Sequence, residues 1–178
     1  MKSLDPARER LARRLLTIVL AVYGAALALH PAHYGWIDSL DLAIHEAGHP
    51  IFGIFGEFIG FAGGTIMQLL MPAVLFGYFW RQRDRHAATV MAWWIAQNLW
   101  NVSRYVADAR AEELPLVGGG EHDWAYLLGT LGLLRDDIAI GHTVHFAGVV
   151  IFLWSCVAGW MCAGVSSSPV PSSRDRDT

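Results

Sequence analysis

Apolar residues run along this chain in long blocks separated by short polar clusters. A polar, basic start from Met1 to Arg14 gives way to an apolar stretch from Leu15 to Leu29, rich in Leu, Val and Ala. A helix starting near Pro6 is long enough for an uncleaved signal anchor, with Ala26-Leu27-Ala28 as the A-x-A site of the alternative, a cleaved signal peptide. His30 to Trp36 reads as a short interfacial loop, with Pro and Gly as breakers and aromatic rings at headgroup level. A second helix is predicted from Asp38 or Ser39, either of which can cap it, to about Ile59, with Asp41 favourably placed in its first turn. Phe61-Ala62-Gly63-Gly64 reads as a break. Thr65 to Trp80 is then a third apolar segment, interrupted at Met71-Pro72 and bent or partly re-entrant. Arg81 to His86 is a loop, Ala87 to about Ala109 a fourth helix, Trp124 to Leu134 a short apolar helix, and Ile138 to Gly164 the last membrane helix. The pattern predicts an all-α, polytopic membrane helix bundle of about five membrane segments, one of them a candidate re-entrant segment. It forms one domain over residues 1–165, followed by a Ser/Pro/Asp/Arg tail over 166–178 that is predicted to be disordered.

Composition sharpens the membrane reading. The chain has 178 residues, 54% of them hydrophobic, and eight tryptophans. From Leu15 to Trp80 there is no Lys or Arg, and the acids are Asp38, Asp41, Glu46 and Glu57; from Ile138 to Ser173 there is no charged residue. Lipid or a very large core tolerates such runs, and this chain is too short for the second. The lipid bilayer is therefore the expected surrounding, with the bacterial inner membrane and a cytoplasmic N-terminus as the expected location. A net charge of −3 and scattered arginines without a basic face point to no nucleic-acid partner. Cys156 and Cys162 would lie about 9 Å apart along a helix axis, beyond disulfide reach, and read as small apolar residues. The arginines pose a topological conflict. Basic residues before Leu15 place the N-terminus in the cytoplasm, yet two further crossings carry Arg81, Arg83 and Arg85 outside unless one segment, between Gly60 and Pro72, is re-entrant.

One polar cluster inside the apolar blocks carries chemistry. His45-Glu46-Ala47-Gly48-His49 is an H-E-x-x-H set. On a helix its two histidines share a face, and Glu46 can reach a metal-bound water. Zinc takes imidazole nitrogens, needs a third protein ligand, and in catalytic sites keeps one position for a water whose pKa it lowers toward neutrality. Glu46 is then the general base. The same five residues occur as plain helix surface in soluble proteins, but a glutamate between histidines in membrane-grade sequence is costly unless something uses it. His45 would sit about 9 Å along the axis from the helix start, near one membrane face. Gly53, Gly56 and Gly60 would let another helix approach, and Pro50 would kink this one beside the motif.

The third ligand has several candidates. Gln97, Asn101, Arg104 and Asp108 form a polar stripe on the fourth helix that faces a bundle interior or cavity. His122 follows Gly118-Gly119-Gly120, whose flexibility lets it fold into a cleft between helices, and is favoured. Asp108 comes next, with a possible partner in Arg104 one turn away. Behind these stand Asp123, which also reads as the N-cap of the short helix, and His142 with His145.

H-E-x-G-H in a membrane helix, followed by a Gly-rich break and another apolar segment, resembles the site-2 protease family of intramembrane zinc metalloproteases over roughly Leu40 to Gly77. The resemblance implies His45 and His49 as zinc ligands and Glu46 as base; a membrane protein or peptide is the candidate substrate. That family takes its third ligand from an aspartate on a later membrane helix, in a segment with N-P and D-G dipeptides. This sequence has neither dipeptide, and its nearest counterpart is Asp108, seven residues after Asn101. The leading expectation is a membrane-embedded zinc hydrolase, most simply a peptidase. The alternatives are a membrane haem or electron-transfer protein using intramembrane histidines, and a non-catalytic metal-binding scaffold.

Overall fold

The computed structural model describes residues 5–30, 34–115 and 120–164, and no strand occurs among them. The tail over 166–178, part of the interfacial loop (31–33), and Gly118 and Gly119 lie outside the described residues. Six α-helices follow in order: α1 Pro6–Leu29, α2 Trp36–Gly53, α3 Glu57–Arg81, α4 Arg85–Ala107, α5 Asp123–Thr130 and α6 Asp137–Ala163, with a 3₁₀ turn at Leu134–Asp136.

Local chemistry sets the starts. Asp5 caps α1 through a bond from the Ala7 N–H (3.1 Å), ahead of Pro6 at the first helical position. Asp38 reaches back to the Gly35 N–H at the start of α2, and Asp84 accepts the Ala87 N–H (3.1 Å) at the start of α4. α5 is capped by His122, whose Nδ1 accepts the Ala125 N–H (3.2 Å), so Asp123 is the first helical residue and not the cap.

The break between the second and third helices falls earlier than Phe61 to Gly64. α2 stops at Gly53, one turn after Pro50, and the reversal occurs at Ile54 to Gly56, where Gly56 adopts φ +107°, a left-handed conformation that side chains avoid. Gly63 and Gly64 are helical instead. α3 continues unbroken through Pro72 to Arg81, so no re-entrant turn occurs between Gly60 and Pro72. These glycines serve close packing: a Cβ on Gly48 would lie 2.2 Å from the Gly63 carbonyl oxygen, and one on Gly60 would lie 3.1 Å from the Gly53 Cα. The backbones of α2 and α3 therefore touch beside the H-E-x-x-H residues.

α4 forms the centre of the bundle and carries buried residues from His86 to Val106. Trp93, Ala96 and Trp100 pack with Leu27, Ile37 and Phe152, while Val102, Val106 and Ala109 pack with Leu128. Gly141 and Gly148 bring α6 against the backbone of α4 near Ser103 and Ala96. Arg110 and Asp137, bonded at 2.8 Å, tie the chain after α4 to the start of α6. Among the described residues, three helical segments are long and apolar enough to cross a membrane: Pro6–Leu29, Glu57–Arg81 and Leu134–Ala163. α2 and α4 carry more polar residues along their length, and several of these are buried, among them Asp38, Asp41, Gln97 and Asn98. The outer surface is apolar, with Val22, Leu29, Ile54, Phe146 and Met161 all exposed.

The arginine-rich ends meet. Arg13 lies 4.0 Å from Asp84, the Arg14 guanidinium sits 5.0 Å over the Trp160 ring, and Thr17 bonds His86 at 3.1 Å. The start of α1, the turn between α3 and α4 and the last turns of α6 thus share one end of the bundle.

Candidate metal centre

His45 and His49 stand one turn apart on α2, and both rings point toward the start of α5. Asp123 Oδ2 lies 2.9 Å from His45 Nε2 and 3.4 Å from His49 Nε2. One ligand atom from each of the three residues falls within 4.8 Å of the others, so the group can hold a metal ion. Ligand atoms on a tetrahedral ion with bonds of about 2.0–2.2 Å lie roughly 3.3–3.5 Å apart. The His49 pair already has that spacing, and the His45 pair needs to open by about half an ångström.

The other imidazole nitrogens are anchored. His49 Nδ1 donates to the Gly60 carbonyl oxygen (2.9 Å), and because a carbonyl only accepts, the Nε2 lone pair of His49 is left facing Asp123. His45 Nδ1 meets Gln68 Oε1 at 3.1 Å. Such outer partners fix tautomer and ring direction in metal sites. Gly64 supplies the room for His45: a Cβ there would lie 2.4 Å from Nε2 and 2.6 Å from two ring carbons. Gly64→Ala is expected to displace the His45 ring and weaken metal binding at least 10-fold, the lower bound typical of losing an outer partner, which a chelator-competition titration measures.

Asp123 is delivered by residues that look like ligands in the sequence and act as supports. Asp108 does not reach the histidines; its carboxylate accepts the backbone N–H groups of Glu113 (3.1 Å) and Leu114 (3.0 Å) and closes the turn after α4. His122 does not join the group either. Its Nδ1 is consumed by the α5 cap, its Nε2 lies 3.4 Å from Asp108 Oδ2, and its ring packs 4.1 Å from that of Tyr105. The Asp123 N–H donates to the Tyr105 hydroxyl (3.3 Å), and Phe61 stacks on Tyr126 at 4.1 Å to hold α5 against α3. Arg104 makes no ion pair with Asp108 among the described residues; it lines a small cavity with Asp38, Gln68 and Asn101. His142 and His145 stand on α6 and line a separate cavity with Ser103 and Asp108, away from the His45 cluster.

Glu46 is exposed and borders two cavities that flank the cluster. The larger, about 450 Å³, is also lined by His49, Glu57, Phe61, Tyr105 and Asp123; the smaller, about 150 Å³, is reached past His45 and Gln68. A carboxylate bordering a cavity beside the His45, His49 and Asp123 cluster is placed where a general base could act. Sequence reasoning missed Gln68 and Tyr105, the anchoring of His49 by the Gly60 carbonyl and the room that Gly64 leaves for His45. Gln68 had a signal, being a lone amide in the apolar run from Thr65 to Trp80, and Tyr105 lies one turn beyond Asn101. No family model, curated protein or solved structure matches the chain.

Proposed function

We propose that the chain is a membrane-embedded zinc hydrolase, most simply a peptidase of the site-2 protease kind, with His45, His49 and Asp123 as zinc ligands and Glu46 as general base. The observation that carries this reading is the convergence of two imidazole Nε2 atoms on one carboxylate oxygen beside an exposed glutamate. Two nitrogens and one carboxylate oxygen make a donor set that suits zinc and leaves a coordination position open. Bound there, zinc supplies the Lewis acidity that makes water nucleophilic near neutral pH. Glu46 takes the proton of the attacking water as its oxygen adds to the amide carbonyl, and returns that proton to the leaving nitrogen as the C–N bond breaks. The cavity of about 450 Å³ receives the peptide segment around the scissile bond.

The apolar exterior supports a bundle set in lipid, and the gathering of Arg13, Arg14 and Arg81 to Arg85 at one end supports that end as the cytoplasmic one. On this reading α2 does not cross, α1 runs outward and α3 returns, which keeps Arg81 on the side of the N-terminus. Tyr105 lies 20 residues beyond Arg85 on α4, about 30 Å along the axis, so the metal centre sits toward the opposite face.

The test is cleavage of transmembrane peptides in proteoliposomes, read by mass spectrometry. Cleavage is expected, with loss on chelation and recovery on adding zinc. No cleavage, or cleavage indifferent to chelator, contradicts the reading.

A further inference from the structure

The polar side chains between α2, α3 and α4 form a directed series of hydrogen bonds that ends on a metal ligand. Asp38, only 6% exposed, starts it. Its Oδ2 accepts the Gly35 N–H (2.5 Å), and its Oδ1 accepts Gln97 Nε2 (3.0 Å) and Asn101 Nδ2 (3.1 Å). A carboxylate taking three donors acts as acceptor only, and this decides which end of the Asn101 amide faces it. Asn101 Oδ1 is thereby turned to α3, where it accepts Gln68 Nε2 at 3.3 Å. Gln68 then presents its Oε1 to His45 Nδ1 at 3.1 Å. An amide oxygen also only accepts, so the His45 proton sits on Nδ1 and the lone pair on Nε2, 2.9 Å from Asp123 Oδ2. Flipping either amide alone would set oxygen against oxygen or N–H against N–H, so the two turn together or not at all.

We propose that Asp38 is a positioning residue for the metal centre: acting through Asn101 and Gln68, it sets the tautomer of His45 and keeps the Nε2 lone pair free to ligate. The consequence for ligation rests on the metal reading above. The two histidine ligands are then fixed by different devices. His49 is set by a backbone carbonyl on α3, and His45 by a relay that begins on its own helix and crosses α4 and α3. The relay also accounts for two members of the polar stripe on α4, since Gln97 helps to hold Asp38 and Asn101 carries the direction onward.

The test reads the imidazole nitrogens by ¹⁵N NMR in the full metal-free chain in micelles, with zinc affinity measured in parallel by chelator competition. In the wild type both His45 and His49 are expected as the Nδ1–H tautomer. Asn101→Leu cuts the relay while leaving Asp38 two of its three donors; His45 is expected to become a tautomer mixture, His49 to stay unchanged, and zinc affinity to fall about 10-fold. Asp38→Asn, which removes the obligate acceptor, is expected to shift His45 in the same direction and provides a second reading should either variant fail to fold. A purely structural role would disturb both histidines or neither. His45 unchanged in the variants, or His49 changing with it, overturns the relay even if zinc binds normally. A tautomer shift confined to His45 in a chain that binds no zinc supports the relay and removes the metal reading instead.

Discussion

Asp123→Ala is expected to empty the metal centre, while His122→Ala leaves it loaded. Removing one of three protein ligands should lower zinc affinity by more than the roughly 10- to 100-fold typical of losing an outer partner. Asp123 Oδ2 is the atom on which both histidine Nε2 atoms converge, so its loss leaves two nitrogens on one helix face with nothing opposite. His122 contributes differently. Its Nδ1 caps α5 and its ring packs on Tyr105, so alanine removes a cap worth about 0.5–2 kcal/mol and loosens the helix that presents Asp123. The expected signature is a lower unfolding temperature and a modest loss of affinity, with the site filled at saturating zinc. Titration of both variants beside His45→Ala decides the matter: His122→Ala behaving like His45→Ala while Asp123→Ala still binds would reverse the assignment.

Glu46→Gln should keep its zinc and lose hydrolysis. Glutamine preserves size and hydrogen bonding but cannot take a proton, and loss of general-base assistance costs about 10²- to 10⁴-fold. Glu46 is exposed and is not one of the three clustered ligands, so its replacement leaves the ligand set intact. Single-turnover rates on a cleaved transmembrane peptide, with metal content measured on the same samples, separate the two effects. A variant that turns over at the wild-type rate excludes Glu46 as the base and moves the chain toward a metal-binding scaffold.

Periodicity and charge were enough to read the helices, because long apolar blocks bounded by Pro, Gly and Arg leave few alternatives. Of the five membrane segments expected, three helical segments among the described residues are long and apolar enough to cross. α2 and α4 fall short in their composition, since α2 carries Asp38, Asp41 and Glu46 and α4 carries His86, Gln97, Asn98 and Asn101 among their apolar residues. The break near Gly63 was misplaced because glycine serves both turns and close packing; only the backbone shows Gly56 taking the left-handed turn while Gly48 and Gly63 touch. His45 and His49 were legible as members of the cluster from spacing alone. The third member of the cluster was not, since His122, Asp123 and Asp108 are all plausible by residue type. What separates them is a cap: by accepting the Ala125 N–H, His122 takes itself out of the cluster and turns the next residue in. Gln68 and Asn101 carry no chemistry of their own, and their meaning appears only when Asp38 and His45 are seen at the two ends of one hydrogen-bond series.

The most direct test is the metal content and absorption spectrum of the full chain purified without chelator. About one zinc per chain and no Soret band is the expected result for a site built from His45, His49 and Asp123. A chain that carries no zinc after exposure to it, or one that shows a Soret band, contradicts a zinc centre at this position.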